Sequence, residues 1–173
     1  VLILTKPLGV GLTLNALRMD DCSKEIQERV FKSMTTLNKY ACDVLKKYDV
    51  HALTDVTGFG LLVHLNEMLD EKNSAVIYKD SIPYFDDCQK YVEEFYLSGA
   101  AQTNRNSVEG KISFDCDFFT EEILFDPQTS GGLLASVSKA DLEMLEKDFK
   151  ENNLELYVVG EVIEKNEYNV YVR

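Results

Sequence analysis

Short apolar runs alternate with helical stripes along this chain, and that order limits the fold more than any other feature. Val1–Leu4, Val50–Thr54, Ser74–Tyr78, Lys111–Phe114 and Leu133–Val137 read as short extended segments rich in aliphatic residues. Between the first two, Gly11–Arg18 reads as a short helix. Ile26, Val30, Met34, Leu37, Ala41, Val44 and Leu45 then recur at steps of three and four, which predicts one amphipathic helix from Ser23 to Lys47. Ser23 is its expected N-cap. A turn over Asp55–Gly60 opens a helix carrying Leu61, Leu62, Leu65, Met68 and Leu69. Pro83 is expected to lead a helix through Tyr91, Val92 and Phe95. Ser98–Gly110 reads as a polar loop, and Glu121–Phe125 fits a strand or a helix. Ser138 starts a helix reaching Asn152, and Leu156–Val162 with Tyr168–Val172 form an expected hairpin. This mixed order predicts an α+β fold: a single domain over residues 1–173, with a mixed β-sheet packed against α-helices.

Composition narrows the function classes. The chain has 173 residues and a formal net charge of −12. Such an acidic surface argues against general binding of nucleic acid or of an anionic membrane, though one nucleotide can still be held by local backbone N–H groups and a metal. The apolar runs are too short to span a bilayer, and no secretory leader is visible. Cys22, Cys42, Cys88 and Cys116 show no metal-ligand or CxxC spacing and read as four reduced thiols, which points to a cytoplasmic protein. The chain opens at Val1 inside an apolar run, so it is expected to be a piece of a longer protein.

Three segments use Gly, Thr, Asn and Asp more heavily than a scaffold turn requires. In Thr54-Asp55-Val56-Thr57-Gly58-Phe59-Gly60, a carboxylate at a strand end precedes two glycines and a helix. Asp55 suits Mg²⁺, a hard cation that prefers carboxylate oxygens, and the glycines permit close backbone approach. The same residues also serve as a helix cap and a plain turn. In Asp126-Pro127-Gln128-Thr129-Ser130-Gly131-Gly132, the Ser-Gly-Gly stretch can form an anion nest, or simply a tight loop with Asp126 as turn former. Thr103-Asn104-Arg105-Asn106 carries one cation that can meet phosphate, or face solvent. His64 reads as a packed residue on an apolar helix, and Cys42 as a small hydrophobe beside the long stripe. No Walker loop, dinucleotide fingerprint or nucleophile elbow is present.

Taken in order, Leu4-Thr5-Lys6-Pro7-Leu8-Gly9-Val10-Gly11, Thr54–His64 and Leu124–Leu134 resemble the C-terminal half of the selenophosphate synthetases (selenide, water dikinases). The resemblance covers nearly the whole chain. The wider superfamily holds aminoimidazole ribonucleotide synthetase, thiamine-monophosphate kinase and a hydrogenase maturation protein. The resemblance implies formation of selenophosphate from selenide, ATP and water, with AMP and phosphate as products and Mg²⁺ as cofactor. It implies a homodimer whose N-terminal domain, outside this sequence, carries the nucleophilic Cys or selenocysteine, the Lys and most metal-binding aspartates. No catalytic residue is then expected in this chain. Asp55 matches a metal-coordinating aspartate of the family. Thr57, Gly58, Gly60, Lys6 and Asn106 are expected in the vicinity of the ATP site. The alternatives are another ATP-using member of the superfamily, or a non-catalytic dimerisation or binding module. The family's Gly-rich stretch reads Gly99-Ala100-Ala101-Gln102 here, where side chains restrict backbone approach.

Overall fold

The computed structural model describes residues 1–173. Its first strand, β1 (Leu2–Leu4), lies near the middle of a seven-stranded sheet. The others are β2 (Val50–Asp55), β3 (Asn73–Ile77), β4 (Ile112–Phe114), β5 (Leu133–Val137), β6 (Tyr157–Glu164) and β7 (Val170–Val172), and the spatial order is β2-β5-β1-β6-β3-β7-β4. β5 runs antiparallel to both β1 and β2, while β7 runs parallel to β3 and β4. The sheet is therefore mixed, and the α+β expectation holds.

Eight helices pack on it: α1 (Val10–Arg18), α2 (Lys24–Thr35), α3 (Lys39–Leu45), α4 (Gly60–Met68), α5 (Cys88–Glu93), α6 (Gly99–Ser107), α7 (Phe118–Phe125) and α8 (Leu142–Glu151). Successive side chains of a strand point to opposite faces. Accordingly Leu2 and Leu4 join a large apolar cluster, while Ile3 joins a smaller one. α1, α4 and α7 help build the large cluster, and α3 and α8 build the small one with Leu45, Leu145 and Phe149.

That division corrects the single helix expected over Ser23–Lys47. Ile26 and Val30 of α2 enter the large cluster, whereas Ala41, Val44 and Leu45 of α3 enter the small one. One straight helix cannot serve both faces of a sheet, so the chain breaks at Thr36, which is extended at φ −73° and ψ 121°. Ser23 caps α2 as expected, accepting from Ile26 N at 3.3 Å.

Three further expectations change. β6 and β7 do not pair as a hairpin, because β3 lies between them, antiparallel to β6 and parallel to β7. The connecting arch is tied over β3 by Ser74, whose hydroxyl donates to Tyr168 O at 2.7 Å and accepts from Asn166 N at 3.0 Å. Ser98–Gly110 is not a loop: Ser98 Oγ accepts from Ala100 N at 3.2 Å and starts α6. Pro83 does not lead a helix either, since its carbonyl accepts from Leu8 N at 2.9 Å, Phe85 N donates to Leu8 O, and α5 begins only at Cys88. The ambiguous Glu121–Phe125 falls in α7, capped by Asp117, which accepts from Thr120 N at 2.8 Å.

Candidate functional site

β1 and β2 both run antiparallel to β5, so their C-terminal ends and the start of β5 share one edge of the sheet. Three loops meet there: Thr5–Gly9 after β1, Val56–Phe59 after β2, and Asp126–Gly132 before β5. The sequence separates these segments by tens of residues, and strand register alone brings them together.

The loop after β2 is fastened from behind. Val56 is buried and its N–H donates to Gly132 O at 2.8 Å. Thr57 O accepts from Gly60 N at 3.1 Å and from Gln128 N at 3.0 Å. Thr57 Oγ1 lies 2.9 Å from Nε2 of His64, which is buried one helical turn along α4. Asn104 donates its side-chain amide to Gly58 O at 2.9 Å and to Phe125 O at 3.1 Å. Gly60 sits at φ +75°, where a side chain is strained, and a Cβ there would lie 2.8 Å from Phe125 O.

The front of the same turn is open. Asp55 ends the edge strand β2 and is exposed. Its backbone carbonyl accepts from Thr54 Oγ1, and its carboxylate enters none of the protein's ion pairs. A Cβ added at Gly58 would meet nothing within 4 Å. Phe59 projects outward, 56% exposed. No group of three or more His, Cys, Asp or Glu side chains converges in a way that could hold a metal. Asp55 stands alone as an open carboxylate with hard oxygen donors. Mg²⁺ is the kind of ion whose chemistry such a donor matches, because it takes one or two carboxylates and completes its shell with phosphate oxygens and water.

The Asp126–Gly132 turn is built differently. Asp126 is buried at 1% exposure, and its Oδ2 accepts from Gly11 N at 2.8 Å and from Gln128 Nε2 at 2.9 Å. Gln128 Oε1 accepts from Val10 N at 3.3 Å, so the two side chains together serve the first N–H groups of α1. Burial pushes the Asp126 carboxyl up to about 7, against the pull of these donors, and its Oδ1 has no partner. Of the two readings of this turn, its carbonyls and Gly131 fit the tight loop, packed as a joint against β1 and β2. A Cβ on Gly131 would lie 2.3 Å from Val56 O, and the carbonyls of Ser130, Gly131 and Gly132 accept from Lys6, Asn38 and Val56.

The structure gathers Asp55, Thr57, Gly58 and Gly60 into one turn. Lys6 follows β1, two strands across the sheet from β2, and is 7% exposed, with its ammonium bound to Thr36 O at 2.8 Å and Ser130 O at 2.9 Å. Burial holds its pKa below the usual lysine range. Asn106 sits exposed on α6 and accepts from Gln102 at 2.9 Å. Two helical positions separate it by about 200° from Asn104, which faces the turn. Arg105 is not a free cation: it bonds Glu122 at 2.5 Å, and its guanidinium lies 4.9 Å from the Phe125 ring centroid.

Sequence reasoning placed Asn104 and Asp126 in the right segments and missed what each does. The one available signal was the helical spacing of Ala101, Asn104 and Val108, all of which are buried. The four thiols are free, with Cys88 buried and Cys42 packed against the small cluster. No helix is long and apolar enough to cross a membrane.

Residues 1–173 match the family described as AIR synthase related protein, C-terminal domain. A selenide, water dikinase of Agathobacter rectalis is 44% identical over 174 residues, which cover 99% of this chain and 51% of the relative. The chain spans about half the length of the curated relatives it matches. Among solved structures, E. coli HypE, a hydrogenase maturation protein, superposes with a TM-score of 0.68 at 17% identity, covering 99% of this chain and 45% of that one. Thiamine monophosphate kinase of Aquifex aeolicus gives 0.61 at 16% identity, covering 99% and 48%.

Proposed function

Because the chain belongs to the AIR synthase related family, as its C-terminal domain, we propose that it is the C-terminal half of a selenide, water dikinase and supplies one wall and one metal ligand of the ATP site. The whole-chain likeness to the Agathobacter rectalis relative supports the selenide reading over other members of the superfamily. The observation that carries the site assignment is Asp55: an exposed carboxylate free of ion pairs, on a turn held by bonds from α4, α6 and the loop before β5.

In this reading Mg²⁺ bound in part by Asp55 neutralises charge on the phosphoryl group being transferred. The chain's own residues hold and shape. The Val56, Thr57 and Gly58 bonds fix the backbone that carries Asp55, so the strand end itself need not reorganise when the phosphates arrive. Gly58 leaves room for a close phosphate oxygen. The nucleophile and the remaining aspartates belong to an N-terminal domain of the parent, and the working enzyme is a cytoplasmic homodimer. Leu53 and Phe59, at 42% and 56% exposure beside Asp55, are the side chains against which that domain packs.

The test is ATP- and selenide-dependent AMP release by the full-length parent carrying Asp55→Asn. Loss of a charged Mg²⁺ ligand is expected to cost on the order of 100-fold in turnover. Turnover within about twofold of the unsubstituted enzyme, with folding intact, rejects the assignment.

A further inference from the structure

A second concavity lies on the α2–α3 side of the same sheet edge, with a volume of about 510 Å³. The ends of β1 and β6 form its floor, and the break between α2 and α3 forms part of its wall. We propose that it binds a phosphorylated small molecule, with the phosphate on Lys6 and Lys32 and the organic body along Tyr84 and Tyr157. This goes beyond the dikinase reading and does not rest on it.

The first observation is charge. In a protein of net charge −12, the lining brings together Lys6, Arg29 and Lys32 against one carboxylate, Glu155. Arg29 is bound to Asp86 at the rim, and Lys32 makes no ion pair. Lys6 is the unusual member. It is more than nine-tenths buried, its two hydrogen bonds go to carbonyls, and no carboxylate lies within ion-pair reach. An ammonium has three donors, so one N–H remains. A buried charge without a counter-ion is costly, and an anion entering the cavity supplies one.

The second observation is an acceptor without a donor. Asn38 donates its amide to Gly131 O at 2.9 Å, while its Oδ1 is buried and unpartnered. Buried polar atoms left unpaired mark places where a ligand or water completes the bonding. Asn38 lines the same cavity, so a hydroxyl or N–H that reaches Oδ1 from there would supply the missing donor. The third is size. The volume falls within the range of sites for organic ligands and is several times what a bare phosphate fills. The Tyr84 and Tyr157 rings give that extra space two flat apolar walls.

The experiment is an amide NMR titration of the chain with AMP in EDTA, which keeps any metal-dependent contact at Asp55 out of the result. AMP is expected to shift Lys6, Asn38 and Tyr84 saturably below about 10 mM, with adenosine inert at the same concentration. Lys32→Glu, an exposed change that leaves the fold intact by circular dichroism, is expected to weaken binding by about tenfold or more. Asp55→Asn is expected to leave it unchanged. Absence of shifts, equal shifts with adenosine, or unaltered affinity in Lys32→Glu overturns the proposal. Shifts confined to residues 54–60 also overturn it, and they leave the reading of Asp55 standing.

Discussion

Thr54–Gly60 and Asp126–Gly132 each bring an aspartate, threonine and two glycines to a junction of regular elements, and they meet at the same edge of the sheet. Their glycines nonetheless answer different demands. Gly131 is there because Val56 O occupies the space a side chain would need. Gly58 faces space that nothing in the chain fills. The aspartates divide the same way. Asp126 is sealed against the start of α1, while Asp55 stands outside with its carboxylate unpaired. Composition alone therefore does not separate an open turn from a joint. What separates them is which side of the turn the rest of the chain occupies.

The sharpest way to break the comparison is through Asp126. Its folded pKa, raised to about 7, lies above the unfolded value near 4, so the folded state holds the extra proton between the two. Stability from this group therefore falls as pH rises through that window and levels off above about 7. Urea unfolding of the chain and of Asp126→Asn should show the difference between them changing by about 2–3 kcal/mol from pH 5 to 7.5, to the relative disadvantage of the carboxylate. A difference that stays flat with pH would mean that Asp126 is solvated and that the joint is looser than described.

Asn104→Ala should come next. It strips the donor from Gly58 O and from Phe125 O and so loosens the back of the open turn. A loss of roughly 2–3 kcal/mol is expected in the same unfolding experiment. A neutral result would show that water replaces the amide and that the turn is not held from α6. Asp55→Asn should have the smallest effect on folding, within about 0.5 kcal/mol, because no partner is lost. A larger destabilisation would make Asp55 a structural residue like Asp126.

Much of this arrangement was readable from residue pattern. The alternation of short apolar runs with amphipathic stripes was enough for the mixed sheet, and the Asp-Val-Thr-Gly turn was found where it lies. The break at Thr36 was not readable, because Ile26–Leu45 keeps one helical period across it. Which face each half covers is settled only when β1 divides the two clusters. The insertion of β3 between β6 and β7 escaped for a related reason, since a turn of five residues looks the same whether its strands pair or straddle a third. In α6 the polar surface residues hid the buried Asn104, which works from the helix face turned away from Asn106.

The most direct measurement of the contrast between the two turns is equilibrium unfolding of Gly58→Ala beside Gly131→Ala. The first should stay within about 0.5 kcal/mol of the unsubstituted chain, and the second should lose several kcal/mol or fail to fold, because its Cβ would sit 2.3 Å from Val56 O. Similar losses in both would contradict the account, for they would mean that the Asp55 turn is packed shut like its neighbour and presents nothing to a ligand.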